Sequence, residues 1–368
     1  MGQTPNSIAQ VSMGAASLSP GSWKWSGAVI DVSIAQRRII MRNFLITRST
    51  HPAGLSALAE QANIRELLNP SRQELIAALP GVHAIVAGTG VMYDAALLAQ
   101  APSLLAIARY GVGLDNVDLA SATERGICVL YTPQATPPSV AEHAVSLMLC
   151  LAKALKSYDD MLPKEAFRSS STTKAIDLDG KILAVIGCGR IGSRVSRICA
   201  RGLGMKVIVY DPYIPVEQAT AAGAELKATL DEVLAAADVV SLHTPLTIET
   251  RHLISHEQLA RMRPTAFLIN TARGAVVDES ALINALREGR IAGAGLDVFD
   301  PEPPASDNPL LQMPNVVVTP HKAGSTQDCL LRVSMTLVKD LRSLFRGERP
   351  EFLANPEVWE RRRPIPQI

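Results

Sequence analysis

From Asn43 onward, short apolar runs alternate with helical stretches, and this alternation constrains the fold more than any other feature of the chain. The first half contains the β-like runs NFLIT, AIVAG, LLAIARYG and ICVLY, separated by helical stretches such as LSALAEQA and DLASATERG. The second half contains KILAVIG, VIVYD, DVVSLH, AFLIN, AGAGLDV and NVVVTP. Repeated βα units build parallel sheets that helices cover. We therefore predict an α/β protein whose second half has the pattern of a doubly wound sheet.

The charge balance and the cysteines argue against several classes of function. The 368 residues include 36 basic and 35 acidic side chains, so a nucleic-acid or anionic-membrane partner is not indicated. No apolar run approaches the roughly 18 residues that a membrane span needs, and we expect a soluble protein. The five cysteines lack CxxC pairs and zinc-type spacing. They predict buried free thiols, a reducing, cytoplasmic compartment and no metal site.

The ends of the chain and one internal segment depart from the alternating pattern. Residues 1–40 are rich in serine and lack a secretory signal, so we expect a loosely ordered extension. The last residues, including the tail at 359–368, are Pro-rich and read as irregular. The prolines of TPQATPPS precede Ser139 and Glu142, which have the spacing of a capping box. A long helix should follow through AVSLMLCLAKALKSY, and the polar stretch FRSSSTTKAID then indicates a domain boundary nearby.

The segment AVIGCGRIGSRV contains Gly187, Gly189 and Gly192 in the order G-x-G-x-x-G, after a predicted strand and at the start of a predicted helix. In such turns the first glycine makes the tight bend and the second admits a pyrophosphate. The third allows close packing of helix on strand. The next strand ends at Asp211, at the distance where an acid holds both ribose hydroxyls of NAD and repels a 2′-phosphate. The combination predicts an NAD site and disfavours NADP; a glycine turn beside a surface acid is the structural alternative.

Three polar side chains follow strand ends in the second half. Arg273 follows AFLIN, Glu302 follows AGLDVF, and His321 follows VVVTP. Because the carboxyl ends of parallel strands meet at one edge of a sheet, these side chains should face the same cleft as the dinucleotide. Each has an ordinary alternative: a helix cap or partner of a surface acid, an exposed loop acid, and a buried histidine. Together they supply what hydride transfer at a 2-hydroxy acid requires.

The blocks TARGAVVDESAL, GLDVFDPEPP and TPHKAGST resemble signature segments of the D-isomer-specific 2-hydroxyacid dehydrogenases, which include phosphoglycerate, hydroxypyruvate and glyoxylate enzymes. ARYGVGLDNVD, SVAEHA and LHTPLTIETRHLI extend the resemblance over about residues 43–358. It implies an NAD-dependent oxidoreductase that interconverts a D-2-hydroxy acid and its 2-oxo acid. It also implies two doubly wound domains with the active-site cleft between them: a flavodoxin-like substrate domain at 41–138 and 323–358, and a Rossmann NAD-binding domain at 139–322.

The resemblance also implies roles for individual residues. Arg273 would bind the substrate carboxylate and polarise the carbonyl, and His321 would be the acid/base that touches both substrate and cofactor. Glu302 would favour the charged imidazole, and Asp297 would lie near the nicotinamide carboxamide. Further cofactor contacts are implied for Arg190, Ile191, His243, Thr244, Pro245, Thr250, Thr271 and Ala272. Further substrate contacts are implied for Gly88, Thr89, Gly111, Val112 and Gly113.

Several alternatives stay open at this point. The loop Ala87–Gly90 reads AGTG where the family often has an arginine or serine, so backbone N–H groups would bind the carboxylate there. The segment SVAEHAVSLMLCLA resembles the family's dimerisation arm and implies a homodimer. Neither the 2-hydroxy acid nor the physiological direction follows from the residues. Phosphoglycerate dehydrogenase is one alternative, and an NAD-sensing binding protein of the corepressor type is another. Formate dehydrogenase is disfavoured because it has glutamine where Glu302 stands, whereas oxidation of phosphite stays open on these residues.

Overall fold

The computed structural model describes residues 41–161 and 175–366, and the first of its two sheets lies in the amino-terminal part of this chain. Its strands lie in the order β2-β1-β3-β4-β5, and every neighbouring pair is parallel. This is the order of flavodoxin-like sheets. The strands are β1 (Arg42–Ile46), β2 (Ala62–Glu66), β3 (Ala84–Ala87), β4 (Ala106–Arg109) and β5 (Cys128–Leu130). The connecting helices are α1 (Pro52–Ala59), α2 (Arg72–Ala78), α3 (Ala95–Leu98) and α4 (Leu119–Glu124).

The second sheet has the strand order of a Rossmann fold with one further strand. Its strands lie in the order β12-β11-β10-β9-β6-β7-β8, again with every neighbouring pair parallel. The strands are β6 (Ile182–Ile186), β7 (Lys206–Tyr210), β8 (Ala224–Leu226), β9 (Val239–Leu242), β10 (Phe267–Asn270), β11 (Gly293–Leu296) and β12 (Val316–Val318). The helices between them are α7 (Gly192–Gly202), α8 (Val216–Ala221), α9 (Leu230–Ala236), α10 (His256–Arg261) and α11 (Glu279–Arg287). The predicted fold class of two doubly wound parallel sheets is confirmed.

Apolar side chains cover both faces of each sheet. In β1, Phe44 and Ile46 join a buried cluster with helix α12 (Gln327–Phe345), whereas Leu45 joins a different cluster with α2 and α3. Successive residues of a strand point to opposite faces, so a strand that is covered on both sides must be apolar throughout. The second sheet likewise has a separate buried cluster on each face. This double coverage explains why the strands are visible in the sequence as continuous apolar runs.

The prediction omitted two strands, and both lie at the edges of their sheets. β2 has the sequence ANIRE and β8 has the sequence AEL, and only the first residue of each is buried. Within residues 41–161 and 175–366, each strand pairs on one side only, with β1 and with β7 respectively. Because an edge strand can expose polar side chains, it lacks the apolar run that a buried strand requires.

The helix after TPQATPPS differs from the prediction at both ends. α5 spans Pro137–Ala152, so Ser139 lies inside its first turn, and the predicted capping box is wrong. The Ser139 hydroxyl instead bonds to the hydroxyl of Thr326, 3.0 Å away. Proline is well accommodated in a first helical turn because its missing N–H would have no partner there. At the other end, Ala154 has a φ of 51° and separates α5 from α6 (Leu155–Met161), so the predicted single helix is two.

The chain returns to the first sheet at its carboxyl-terminal end. α12 packs on the face of that sheet formed by β1, β3 and β4. The predicted irregular end is partly ordered, because residues 356–361 form a 3-10 helix. Beyond it, the Arg363 guanidinium donates to four backbone carbonyls, those of Ala101, Pro102, Leu104 and Arg125. The domain boundaries at 138/139 and 322/323 stay predictions, and the extension at 1–40 and most of FRSSSTTKAID lie outside the described residues.

The described residues also bear on the predictions from composition. No helix in residues 41–161 and 175–366 is long and apolar enough to cross a membrane. In the same ranges, no group of three or more His, Cys, Asp or Glu residues is placed to hold a metal ion. All five cysteines are free, and only Cys150 is not buried, so the prediction of buried free thiols is confirmed for the other four. Burial raises the pKa of Cys128 to about 11 and that of Cys199 to about 12.

Candidate active site

Each sheet has one point where the order of its strands reverses, and doubly wound sheets bind ligands at the carboxyl ends of the strands on either side of that point. In the second sheet it lies between β6 and β9, which lead into the Gly-rich turn and into His243. In the first sheet it lies between β1 and β3, which lead into Thr47 and Arg48 and into Gly88. Of the predicted cofactor and substrate residues, the Gly-rich turn, His243 and Gly88 therefore lie at the two places where this architecture binds ligands.

The Gly-rich turn between β6 and α7 requires glycine for reasons of space. Gly187 has a φ of 87°, which side chains rarely adopt, and a Cβ on Gly192 would lie only 2.0 Å from the Gly187 carbonyl oxygen. A Cβ on Gly189 would meet nothing within 4 Å, so open space lies beside the turn at that point. Within the described chain, the N–H groups of Gly189, Arg190 and Ile191 donate to no protein acceptor. The turn is thus a cradle of free N–H groups at a helix amino terminus, which suits a pyrophosphate.

Asp211 follows β7, the strand next to β6, where the sequence predicts the ribose-binding acid. One carboxylate oxygen accepts a hydrogen bond from the Cys188 N–H at 2.8 Å, and the other accepts one from the Tyr213 N–H at 3.0 Å. These backbone donors fix the carboxylate beside the Gly-rich turn. Each oxygen retains a further lone pair that a ribose hydroxyl could use. The ribose contact itself stays a prediction.

Three buried polar atoms just after strands β9 and β10 lack a hydrogen-bond partner in the described chain, and all three belong to predicted cofactor residues. They are Nδ1 of His243 and the hydroxyl oxygens of Thr244 and Thr271. Buried polar atoms are normally paired, so their orphaned state fits a polar ligand that supplies the missing partners. Burial lowers the pKa of His243 to about 3, and its Nε2 lies 2.8 Å from the Ser241 hydroxyl, so the ring is neutral at pH 7. These atoms, the cradle of N–H groups and the Asp211 carboxylate fit a dinucleotide.

The remaining predicted cofactor residues lie in the loops after β9 and β10. The Thr250 hydroxyl donates to the Pro245 carbonyl at 2.6 Å and accepts from the Thr247 N–H at 2.7 Å. It therefore closes its own loop, and a cofactor contact through it would have to share or displace these bonds. The Ala272 N–H is bonded to the Asn270 side chain at 3.0 Å. Direct contacts of these residues with a cofactor stay predictions.

His321 and Glu302 are brought together as the sequence predicts. His321 Nδ1 lies 2.8 Å from a Glu302 carboxylate oxygen, and the two side chains are 45% and 37% exposed. The other Glu302 oxygen accepts from the Phe299 N–H at 3.1 Å. Burial raises the pKa of Glu302, but the hydrogen bond and charge of His321, the Phe299 N–H and the charge of Arg273 outweigh it, and the net pKa is lowered. Glu302 is therefore an ionised partner that binds Nδ1 of an accessible imidazole.

The turn that carries His321 is tied to Asp297. His321 has a φ of 53°, a strained backbone conformation for this residue, and its N–H donates to the Asp297 carbonyl at 2.8 Å. The Asp297 carboxylate is fully buried and accepts from the Lys322 and Ala323 N–H groups and from the Thr319 hydroxyl. Its hydrogen bonds thus come from the turn, and Nε2 of His143 on α5 (Pro137–Ala152) lies 3.6 Å from one of its oxygens. A contact with the nicotinamide carboxamide stays a prediction.

Arg273 lies at the same edge, and its guanidinium pairs with a half-exposed acid, an alternative that the sequence left open without identifying the acid. Its Nε and Nη2 donate to one carboxylate oxygen of Asp115, at 3.0 and 2.8 Å. Asp115 belongs to the segment after β4, so the ion pair joins the loops of the two sheets. A Cβ on Gly113 would lie 2.1 Å from the Arg273 Nη2, which places the predicted YGVG wall directly against the arginine.

The AGTG loop differs from its predicted role in one respect. The Gly88 N–H donates to the Thr47 hydroxyl at 3.1 Å, so it is not available to a substrate carboxylate. In the described chain, the N–H groups of Thr89 and Gly90 donate to no protein acceptor, and a Cβ on Gly90 would meet nothing within 4 Å. On the opposite loop, Gly111 has a φ of 137°, and Val112 is exposed. Their contacts with substrate stay predictions.

Two further arginines near this edge escaped the sequence reasoning. The Arg48 guanidinium lies 4.7 Å from the centre of the Tyr110 ring, and Arg109 donates to the Tyr110 carbonyl at 2.9 Å. Burial, and then the charges of Arg48 and Arg273, lower the pKa of Arg109 to about 10, so it remains cationic. Neither Arg48 nor Arg109 forms an ion pair within the described chain. A single arginine at the end of a strand gives no indication in the sequence that a second arginine from another strand lies near it.

Comparison with known proteins identifies the family of this chain. Residues 145–323 match the family model described as "D-isomer specific 2-hydroxyacid dehydrogenase, NAD binding domain". A D-3-phosphoglycerate dehydrogenase from Methanocaldococcus jannaschii is 38% identical over 86% of this chain, and the chain spans only 60% of that relative's length. A glyoxylate reductase from Korarchaeum cryptofilum is 38% identical over 87% of this chain and 97% of its own length.

A solved structure is similar over nearly its whole length. It is the D-lactate dehydrogenase from Aquifex aeolicus complexed with NAD and lactic acid. It is 33% identical, the match covers 85% of this chain and 99% of that chain, and the TM-score is 0.73. At this coverage, the likeness extends to both sheets. The chain belongs to the D-isomer specific 2-hydroxyacid dehydrogenase family.

Proposed function

We propose that this protein interconverts a D-2-hydroxy acid and its 2-oxo acid with NAD(H). The observation that carries the proposal is the His321–Glu302 pair at 2.8 Å, whose side chains remain accessible. It lies at the strand-end edge that also bears Arg273 and the Gly-rich turn. An accessible imidazole beside an ionised carboxylate is a general acid/base, and a guanidinium is a carboxylate ligand. The structure described as a D-lactate dehydrogenase with NAD and lactic acid supports the same reaction class.

Each side chain of the site has a separate role in the proposed reaction. Because Nδ1 of His321 is bonded to Glu302, Nε2 is the nitrogen left for the substrate. In reduction, the imidazolium donates its proton to the carbonyl oxygen; in oxidation, the neutral ring removes the hydroxyl proton. Arg273 binds the substrate carboxylate and polarises the adjacent carbonyl. A bound nicotinamide supplies the hydride in reduction and accepts it in oxidation. Gly189, Arg190 and Ile191 would bind its pyrophosphate.

For the cofactor, we propose a preference for NADH over NADPH. Asp211 places a carboxylate beside the Gly-rich turn, fixed by the N–H groups of Cys188 and Tyr213. A carboxylate there accepts hydrogen bonds from two ribose hydroxyls and repels a 2′-phosphate. Parallel assays with NADH and NADPH test this preference directly.

One observation favours a substrate with a second anionic group, as in phosphoglycerate. Arg48 and Arg109 lie at the edge of the first sheet without a carboxylate partner in the described chain, while Asp115 already pairs with Arg273. The charge of Asp115 acts on the buried Arg109, but neither arginine has a carboxylate within ion-pair distance in the described chain, and such cations attract an anion. The relatives named D-3-phosphoglycerate dehydrogenase support this second candidate.

Assembly and compartment are part of the proposal. We expect a homodimer that uses the region of α5 and α6, where the apolar side chain of Leu155 is half exposed. The free cysteines are consistent with a reducing compartment, and we propose the cytoplasm. Light scattering on the purified chain measures the mass of the assembly, and a monomer at micromolar concentration would contradict the dimer.

The deciding experiment measures initial rates of NADH and NADPH oxidation with glyoxylate, hydroxypyruvate, 3-phosphohydroxypyruvate, pyruvate and phenylpyruvate. We expect turnover of at least one acid with NADH, and a fall of about 100-fold or more in His321→Ala and in Arg273→Ala. His256→Ala, which changes an exposed histidine on α10, is the matched control and should retain the parental rate. Parental turnover in both site variants would refute the proposed reaction. Binding of NADH without turnover of any acid would favour the NAD-sensing alternative.

A further inference from the structure

We propose that Asp115 is a positioning residue that orients Arg273 for the substrate carboxylate. This inference rests on the proposed function of Arg273. Asp115 lies 158 positions from Arg273 in the sequence and belongs to the other sheet, yet both Nε and Nη2 of the arginine donate to its Oδ2. No role for this carboxylate follows from the motifs, because the sequence GLDNVD does not indicate the partner of either of its two acids.

The hydrogen bonds of Arg273 within the protein leave two N–H donors free, which is the number that a substrate carboxylate can accept in parallel. A guanidinium has five N–H donors. One from Nε and one from Nη2 are given to Asp115, and one from Nη1 is given to the Ala272 carbonyl at 2.7 Å. The two that remain have no acceptor in the described chain, and a carboxylate accepts two parallel N–H bonds from an arginine. Asp115 thus occupies one edge of the fork, and the free donors lie elsewhere on it.

The surroundings of the ion pair hold the guanidinium in this orientation. A Cβ on Gly113 would lie 2.1 Å from Nη2 and 3.0 Å from the Asp115 carboxylate, so only glycine leaves room for both groups. Burial raises the pKa of Asp115, but the charge and hydrogen bonds of Arg273 outweigh it and the net pKa is lowered. The carboxylate is therefore ionised at neutral pH.

The pair also links the two halves of the cleft. Asp115 follows β4 of the first sheet, and Arg273 follows β10 of the second. The arginine of one sheet is therefore oriented by a carboxylate of the other. Because the side chains are 29% and 49% exposed, the pair contributes little to stability, and its effect should appear in substrate binding.

The test is steady-state kinetics of Asp115→Ala and Asp115→Asn with the best 2-oxo acid of the panel, together with oxamate binding to the protein–NADH complex. We expect Asp115→Ala to raise KM and the oxamate Kd about tenfold or more, with a smaller change in kcat and unchanged NADH affinity. Asp115→Asn should be intermediate, because its amide oxygen can still accept from the fork. Asp118→Asn is the matched control: its carboxylate caps α4 by accepting from the Ser121 N–H at 2.9 Å, and asparagine also caps helices.

A double-mutant cycle separates positioning from a general structural effect. In an Arg273→Lys background the planar fork is already absent, so Asp115→Ala should add less than about a twofold change in KM. A KM and an oxamate Kd that stay at parental values in Asp115→Ala would overturn the proposal. So would a lower KM, which would make Asp115 a competitor of the substrate. If the parent turns over no 2-oxo acid but binds oxamate, and Asp115→Ala weakens that binding, the proposed reaction fails while the role of Asp115 stands.

Discussion

Asp297→Asn tests how the proposed acid/base histidine is held in place. The Asp297 carboxylate is fully buried and accepts from the Lys322 N–H at 2.8 Å, from the Ala323 N–H at 2.9 Å and from the Thr319 hydroxyl. The His321 N–H is bonded to the carbonyl of the same residue. The aspartate therefore stabilises the turn that carries His321. It does so although the φ of His321 lies in the strained left-handed region.

The size of the effect follows from these bonds. An amide must direct its NH₂ group toward one of the three donors, because both carboxylate oxygens are in use. At least one hydrogen bond to a charged group is lost, which costs about 1.5–3 kcal/mol, and one buried N–H is left unpaired, which costs about 1–3 kcal/mol. The free energy of unfolding should fall by about 3–5 kcal/mol. The entropy of unfolding is about 2.1 cal/mol/K per residue, so in a chain of 368 residues 1 kcal/mol lowers Tm by about 1.3 °C, and we expect a decrease of about 4–6 °C.

Thermal unfolding followed by circular dichroism measures this decrease, and turnover of the best 2-oxo acid measures the placement of His321. We expect kcat to fall about 100-fold at temperatures where the variant is still folded, because a misplaced acid/base loses its geometry. Asp300→Asn is the matched control, since Asp300 is partly exposed and, among the described residues, its carboxylate pairs only with Arg251 at 3.6 Å. If Asp297→Asn melts within about 2 °C of Asp300→Asn, the reasoning about the buried carboxylate is wrong.

Three further predictions concern the cofactor site and the carboxylate of the catalytic pair. Asp211→Ala should lower the ratio of kcat/KM with NADH to that with NADPH by about tenfold or more; an unaltered ratio would count against the ribose assignment. Gly192→Ala should unfold the turn, because the new Cβ would lie 2.0 Å from a backbone carbonyl, whereas Gly189→Ala should melt normally yet weaken NADH binding; titrations of NADH fluorescence and melting curves separate the two. The pKa of Glu302 is lowered below its ordinary value of about 4.5, so its stabilising contribution is complete above that pH and is lost as pH falls through the folded-state pKa. The Tm difference between the parent and Glu302→Gln should therefore shrink below pH 4.5, and a constant difference would contradict this.

Local and periodic features of the sequence were sufficient for the architecture. Buried parallel strands must be apolar on both faces, so the central strands are visible as continuous runs such as KILAVIG and AFLIN. The Gly-rich turn is equally local, because the space at Gly192 is limited by the carbonyl of Gly187, five residues away in the same turn. Because the carboxyl ends of parallel strands meet at one edge, the sequence was sufficient to predict that Glu302 and His321 lie at the same edge. This prediction required no information about their side-chain contacts.

Only the tertiary structure decided the features that depend on partners distant in sequence. The edge strands β2 and β8 are recognisable by the strands they pair with, because their own side chains are mostly exposed and polar. Ser139 could not be assigned as a cap, since its hydroxyl pairs with Thr326 on the helix that returns from the end of the chain.

The same limit applies to the charged residues of the cleft. The partner of Arg273 is Asp115, 158 positions away. The buried carboxylate of Asp297 accepts hydrogen bonds from the turn that follows β12, the next strand along the chain. A residue's type and its neighbours in sequence determine which chemistry it can perform. The tertiary arrangement of the loops after the two sheets determines which charge it meets, because that charge comes from a part of the chain that is distant in sequence.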